Sequence, residues 1–210
     1  MYSVAVPKGT FRETQGMKVT KAQMQANRAH IVKTASHLFR ERGYDGVGIA
    51  DLMGAAGFTH GGFYKHFGSK ADLMAEAARC GFEQGTAKAE GFDAQAFVGY
   101  YLSRKHRDDR ADGCTVAALS GDAARQPEST KEAFAAGIES MLHGLADGVG
   151  AQDGSGRERN LRAQSIDTIA QVVGALVLSR ACPDDSPLAD EILDVCRAAV
   201  LSRTSASAGA

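Results

Sequence analysis

Apolar side chains recur three and four positions apart along most of the chain, the spacing that places them on one face of an α-helix. No stretch shows the strict alternation of apolar and polar residues that is typical of a half-buried strand. The pattern therefore predicts an all-α protein with about nine helices. Their approximate ranges are 20–42, 48–56, 59–67, 69–85, 94–104, 114–125, 129–147, 157–181 and 188–203.

The segment from Gly57 to Lys70 predicts a turn, a very short helix and the start of a longer one. Gly57 takes a positive φ at no steric cost, so it can end the preceding helix. Thr59 is expected to cap the short helix, its hydroxyl accepting a hydrogen bond from an early backbone N–H. Phe63 and Phe67 are four residues apart and are expected to face the interior together. The polar residues around them are then left outside.

Two glycines, Gly61 and Gly62, stand in the short helix. Each costs roughly 0.8–1 kcal/mol relative to alanine in a helix interior. A helix that tolerates them is expected to let another molecule approach closely. The surrounding threonine, histidine, tyrosine and lysine side chains favour phosphate groups as that partner.

Residues 43–70 resemble the DNA-binding segment of the tetracycline-repressor-like (TetR) family. The matching pattern is Gly43-Tyr44, Ile49-Ala50-Asp51-Leu52, Ala55-Ala56-Gly57, Gly62-Phe63-Tyr64-x-His66-Phe67 and Ser69-Lys70-x-x-Leu73. In that family the segment is a helix-turn-helix whose second helix lies in the major groove. The resemblance implies a three-helix head that binds DNA and a helical body that binds a ligand and dimerises.

The resemblance also implies which residues meet DNA. Those expected at the phosphate backbone are Thr59, Tyr64, Lys65, His66 and Lys70. Those expected to face base edges are His60, Gly61 and Gly62. Gly48 is the remaining candidate, and it stands where the family usually has a serine or threonine.

The chain is expected to comprise a flexible tail (1–19), a helix-turn-helix DNA-binding domain (20–86) and a ligand-binding and dimerisation domain (87–210). Residues 1–80 hold 11 Lys/Arg against 6 Asp/Glu, about +5, whereas residues 81–210 hold 13 against 19, about −6. A basic front favours contact with nucleic acid. The charged run 105–113 and the arginines Arg28 and Arg40 are expected at the solvated surface, with phosphate as an alternative partner for Arg28.

The resemblance places a small-molecule pocket among the helices between residues 94 and 181. Its candidate lining residues are Phe97, Tyr100, Tyr101, Cys114, Phe134, Met141 and Gln171. Cys114 lies at a predicted helix N-terminus, where the helix dipole favours a reactive thiolate. A sensor of electrophiles or oxidants and a small buried apolar residue are both open for this position. No feature of the sequence names the inducer.

The predicted helices 157–181 and 188–203 are apolar on more than one face, which is typical of association surfaces. By the resemblance, they pair with their twins in a homodimer. A two-fold dimer places its two short helices roughly 34–36 Å apart on a near-palindromic operator. A ligand bound in the body is expected to move the helix at 69–85 and release the repressor.

No residue pattern predicts an enzyme, a metal site or a cofactor. The four cysteines form no Cys-x-x-Cys pair, and no run of 18 apolar residues or secretory signal is present, so a cytoplasmic protein is expected. Two alternatives stay open. One is an all-α small-molecule-binding protein or enzyme whose head only contacts other proteins, and the other is a ligand-blind regulator of the TetR type.

Overall fold

The computed structural model describes residues 20–147 and 156–208. Within these ranges every regular element is helical, which confirms the all-α prediction. The predicted tail 1–19 and nearly all of the predicted loop 148–156 lie outside the described residues. The helices are α1 (Lys21–Arg42), α2 (Ile49–Ala55), a 3₁₀ helix (His60–Lys65, hereafter the 60–65 helix), α3 (Lys70–Ala89), α4 (Ala94–Tyr101), α5 (Arg104–Asp108), α6 (Thr115–Ala123), α7 (Glu128–Asp147), α8 (Gly156–Ala181) and α9 (Pro187–Ala208).

Short polar side chains start the helices where the sequence predicts. The Thr20 hydroxyl accepts from the backbone N–H of Gln23 at 3.1 Å, and the Ser69 hydroxyl accepts from that of Asp72 at 3.1 Å. Each of these bonds satisfies one of the orphan N–H groups at a helix start. Gly57 ends α2 with a φ of 78°, as its freedom from Cβ clashes allows.

The prediction for Thr59 is half right. Its backbone is extended and it precedes the helix, but its hydroxyl caps no backbone N–H. The expected α-helix over 59–67 is a 3₁₀ helix, in which bonds run between residues three apart. The backbone N–H of Gly62 therefore donates to the carbonyl oxygen of Thr59 at 2.9 Å and not to the Thr59 hydroxyl.

The charged run 105–113 is not the solvated turn that the sequence predicts. The helix predicted over 94–104 ends at Tyr101, and a separate short helix, α5, buries His106 and Arg107. Arg107 is 1% exposed, because its guanidinium donates to the carbonyl and hydroxyl oxygens of Ser179 and to the carbonyl of Cys182. Buried charges persist where such hydrogen bonds replace water.

Arg40 is likewise buried rather than solvated. Its guanidinium donates to the carbonyl of Ala111 at 2.6 Å, to the Ser36 hydroxyl at 3.0 Å and to the Gln84 side-chain oxygen at 2.9 Å. The bond to Ala111 ties α1 to the loop before α6.

Two apolar clusters form the core. The first joins α1, α2, the 60–65 helix and α3 to parts of α6 and α7, and the second joins α4, α8 and α9. α3 packs against both α1 and α7 and runs past residue 86, where the sequence predicts a domain boundary. Head and body therefore share one continuous helix.

Candidate nucleic-acid interface

The 60–65 helix is anchored by two phenylalanines. Phe63 and Phe67 are 0% and 3% exposed, and their ring centroids lie 5.5 Å apart. Beneath them Tyr44 is buried against Phe39, with ring centroids 5.0 Å apart in an edge-to-face arrangement. Burying both phenylalanines on one side fixes which side of this short helix meets solvent, as the four-residue spacing predicts.

The opposite side of the 60–65 helix is polar and open to solvent. Tyr64 is 65% exposed, an unusual position for a large aromatic side chain, and Lys65 and His60 are exposed beside it. The Tyr64 ring meets the His60 ring edge-on, with centroids 6.4 Å apart. Thr59 is also exposed and His66 is partly so. The structure thus gathers five of the predicted DNA-contacting residues on one surface.

The two glycines of this helix have different surroundings. A Cβ on Gly61 would meet no atom within 4 Å, so its side is open. A Cβ on Gly62 would lie 3.5 Å from the Met53 methyl carbon, in ordinary contact. Gly48 is exposed at the start of α2, where its backbone N–H donates to the Asp51 carboxylate at 3.3 Å.

Lys70 differs from the other candidates, because its side chain already has a partner inside the protein. Its amino group donates to the carbonyl oxygen of Tyr44 at 2.6 Å and lies 5.9 Å from the centroid of the Phe39 ring. The ammonium group has three N–H donors, so a phosphate contact by Lys70 would use a donor other than the one bound to the Tyr44 carbonyl.

Sequence reasoning did not foresee the place of Arg28 in this surface. Its guanidinium forms a two-pronged ion pair with the Glu76 carboxylate, and its Nε donates to the carbonyl oxygen of His66 at 3.3 Å. The guanidinium carbon also lies 4.7 Å from the centroid of the Phe67 ring. The glutamate is 48 residues away in sequence, so local spacing carries no signal for this pair.

The structure does not bring the seven candidate pocket residues into one apolar cluster. Phe134 packs edge-on against Phe82 in the first cluster, whereas Phe97 and Tyr101 pack together in the second. The others are distributed as follows: Met141 borders the first cluster, Cys114 touches both, Tyr100 stacks on His106, and Gln171 accepts a hydrogen bond from Arg203. Two clefts of about 350 and 280 Å³ open on the described surface, and none of the seven lines either of them.

Cys114 is the residue before α6, as predicted, and is partly buried. Its backbone N–H donates to Nε2 of His106 at 3.1 Å, and Nδ1 of the same ring lies 2.8 Å from the carbonyl oxygen of Tyr101. Since Nε2 accepts, the proton of the neutral ring is on Nδ1. Burial lowers the pKa of His106 and raises that of Tyr101.

The last two helices leave apolar side chains in solvent. Exposed positions on α8 and α9 are Ile166, Val177, Leu178, Leu188 and Val195. Leu188 and Val195 are seven residues apart, two helical turns, so they stand on one face of α9. In the described ranges no helix is long and apolar enough to cross a bilayer, and no cluster of His, Cys, Asp and Glu has the arrangement of a metal site.

The residues of this surface lie in a segment that matches a known protein family. Residues 31–86 match the family model described as "Bacterial regulatory proteins, tetR family". The match spans most of α1, the whole of α2 and the 60–65 helix, and most of α3. Residues 31–86 therefore have the sequence of a TetR-family DNA-binding domain. The solvent-facing side of the 60–65 helix, with Tyr64 and Lys65 (hereafter the exposed rim), is thus part of a TetR helix-turn-helix.

Among curated relatives, the HTH-type transcriptional regulator AcrR of Shigella flexneri is 39% identical over 57 residues, which is 27% of this chain and 26% of AcrR. TtgR of Pseudomonas putida is 40% identical over 55 residues, 26% of each chain. This chain therefore matches about a quarter of the length of these curated relatives.

Solved structures extend the likeness to the TetR fold as a whole. A TetR-family regulator from Cytophaga hutchinsonii superposes with a TM-score of 0.67 at 17% identity, covering 89% of this chain and 98% of that one. AibR, solved with isovaleryl coenzyme A and operator DNA, superposes with a TM-score of 0.54 at 17% identity, covering 81% and 96%. At these identities the likeness concerns the fold.

Proposed function

We propose that this protein is a TetR-type transcriptional regulator that binds a near-palindromic operator as a homodimer and is released by a small molecule. The observation that carries the proposal is the exposed rim of the 60–65 helix. Burial of Phe63 and Phe67 fixes the inner side of the 60–65 helix. Tyr64 and Lys65 therefore point into solvent, and this short helix does not need them for its own stability. Cationic and polar side chains on one outward side of a helix supply the donors that phosphate contacts use.

Contacts in the complex follow from exposure and chemistry. Lys65, Tyr64, Thr59 and His66 carry donors for phosphate oxygens, and Lys70 joins them with the N–H donors that the Tyr44 carbonyl does not use. His60, Gly62 and the open backbone at Gly61 meet base edges in the major groove, and Gly48 brings the start of α2 close to the DNA backbone. With two glycines at the groove, few side chains read bases, so DNA shape contributes to specificity.

The dimer forms through α8 and α9. Their exposed apolar side chains on adjacent helices support this arrangement, since a contiguous apolar surface in water favours association. A two-fold axis through this surface presents the two 60–65 helices to successive turns of DNA.

The ligand enters the body between α4 and α8. AibR, of the same fold, was solved with both an acyl coenzyme A and operator DNA, which supports a body that takes a small molecule. Phe97 packs against Tyr101, and Phe134 of α7 packs against Phe82 of α3. Ligand entry has to separate these pairs, and a shift of Phe134 moves α7 against α3. We place the protein in the bacterial cytoplasm, with no catalytic role.

The experiment is selection of bound sequences from a random DNA library by the purified dimer. The proposal expects an enriched near-palindrome whose half-sites lie about one helical turn apart. Enrichment of no sequence at low salt would contradict it, and would favour a head that contacts only other proteins. A thermal-shift screen of small molecules, followed by operator release, tests the ligand step, because a ligand of the native state raises the melting temperature.

A further inference from the structure

The 60–65 helix is too short to hold its own orientation. It comprises six residues, and its internal bonds include those from Gly62 N–H to the Thr59 carbonyl and from His66 N–H to the Phe63 carbonyl. 3₁₀ bonds are poorer in geometry than α-helical ones. Buried phenylalanines fix its inner side, but a polar contact is needed to fix the angle at which its outer side meets DNA.

Arg28 of α1 supplies that contact at the end of the 60–65 helix. Its Nε donates to the carbonyl oxygen of His66, the residue that terminates the helix, at 3.3 Å. Its guanidinium carbon lies 4.7 Å from the centroid of the next ring, Phe67. A guanidinium has a rigid fork of five N–H donors, so one side chain can make these contacts and an ion pair together.

Two further donors of Arg28 bind α3. Both terminal nitrogens donate to the two carboxylate oxygens of Glu76, and this pair is partly buried. The two terminal nitrogens of the guanidinium match the two carboxylate oxygens in geometry, which makes the pair stronger and more directional than a single contact. Arg28 thus joins three elements: its own helix α1, the end of the 60–65 helix, and α3.

We infer that Arg28 is a positioning residue for DNA binding: its pairing with Glu76 sets the orientation of the 60–65 helix relative to α3, and it does not itself bind phosphate. The inference rests on the proposed function for its consequence in DNA binding. Since α3 also packs on α7 of the body, the pair lies where a shift of α3 reaches the DNA-contacting surface. Nε–H and one N–H of each terminal nitrogen are engaged within the protein, so Glu76 occupies the end-on pair of donors that a phosphate would otherwise take.

The test compares Arg28→Gln, Glu76→Gln and the double variant, with Arg79→Gln as the matched control. Arg79 is an exposed arginine of α3, and it lines the cleft of about 280 Å³ that Arg28 and Glu76 also line. The control therefore changes the net charge as Arg28→Gln does. Binding to the selected operator is measured between 50 and 200 mM salt by fluorescence anisotropy. Each lost phosphate contact would reduce the salt slope by about 0.9.

A positioning role predicts that Arg28→Gln and Glu76→Gln each weaken operator binding roughly tenfold with the salt slope unchanged. The double variant should be no weaker than either single one, because both remove the same interaction. Arg28→Lys should recover only part of the affinity, since an ammonium cannot replace the fork. A reduced salt slope in Arg28→Gln, or additive losses in the double variant, would overturn the inference.

A second readout needs no DNA and separates this inference from the proposed function. Amide hydrogen exchange in the free protein should become several-fold faster at Gly62, His66 and Phe67 in Arg28→Gln and in Glu76→Gln. Amides in the middle of α8 should exchange as in the wild type, which excludes general destabilisation. Unchanged exchange at the three positions would overturn the inference even if the wild-type protein binds its operator.

Discussion

Gly61 and Gly62 are adjacent in the chain, and the protein itself requires glycine at neither position. Neither has a positive φ, so neither needs to be glycine for backbone reasons. A methyl group on Gly62 would touch Met53, whereas one on Gly61 would project into open solvent. The surface that Gly61 leaves bare is the one assigned to base edges.

Gly61→Ala should therefore stabilise the free protein and weaken its complex. We expect the free energy of unfolding to rise by about 0.4–1 kcal/mol, because alanine has less freedom to lose from the unfolded state. Operator affinity should fall, since the methyl group occupies the approach to the bases. Urea unfolding and fluorescence anisotropy measure the two effects.

Gly85→Ala is the control for this change. Gly85 lies in α3, has no positive φ, and its added Cβ would also meet no atom within 4 Å. It should gain similar stability with no loss of affinity. If Gly61→Ala bound the operator as tightly as the wild type, the open side of the 60–65 helix would not face DNA.

His106 makes the stability of the fold depend on pH. Burial lowers its pKa below the ordinary value of 6.5, so the unfolded state binds the proton more readily. The contribution of His106 to the free energy of unfolding should be complete above about pH 6.5 and should decrease as the pH falls below that value. Urea titrations at a series of pH values between 8 and 5 measure this slope.

His106→Gln should flatten that dependence, because a glutamine amide accepts from Cys114 N–H without titrating. The pKa of His37 is also lowered by burial, and its share of the slope stays in the variant. The difference between the two slopes thus belongs to His106. Equal slopes in wild type and variant would show that His106 is as easily protonated in the folded protein as in the unfolded chain.

At the scale of the element, helix starts and faces were readable because they depend on neighbours three or four residues away. Thr20, Ser69 and the Phe63–Phe67 pair are of this kind. α5 was missed because its partners are distant: Arg107 binds Ser179, 72 residues further along. A run of charges looks solvated until those partners are known. The Arg28–Glu76 pair escaped prediction for the same reason.

The contact between α3 and α7, which joins head to body, depends on a glycine. A Cβ on Gly137 of α7 would lie 2.3 Å from atoms of the Phe82 ring of α3, far inside contact distance. Gly137→Ala should lower the free energy of unfolding by about 1–3 kcal/mol through overpacking. Thermal or urea unfolding measures the change.

Gly144→Ala in the same helix is the matched control, because a Cβ there would meet no atom within 4 Å. It should be neutral or stabilise by up to about 1 kcal/mol. Equal effects of the two alanines would mean that α3 and α7 are not held at the distance described.

At the scale of the whole molecule, the proposed dimer requires that the exposed apolar side chains of α8 and α9 become buried between two chains. Leu178 and Val195 are 59% and 60% exposed in the single chain. Charges at both positions, Leu178→Asp with Val195→Asp, should convert the dimer to monomer, since carboxylates would be buried without partners. Analytical ultracentrifugation reports the mass.

Phe92→Asp replaces another exposed apolar side chain, outside the two helices, and should leave the dimer intact. The double variant should also lose most operator affinity, because one head alone reaches one half-site. A folded double variant that still sediments as a dimer would place the interface elsewhere.

The central claim is that the outer side of the 60–65 helix binds duplex DNA, and a salt titration of operator binding tests it most directly. The wild-type protein should bind the selected operator at least about 10³-fold more tightly than random DNA at physiological salt. Lys65→Ala should weaken binding to both DNAs alike and reduce the salt slope by about 0.9, the share of one phosphate. Equal affinity of the wild type for operator and random DNA, or a Lys65→Ala slope that matches the wild type, would contradict it.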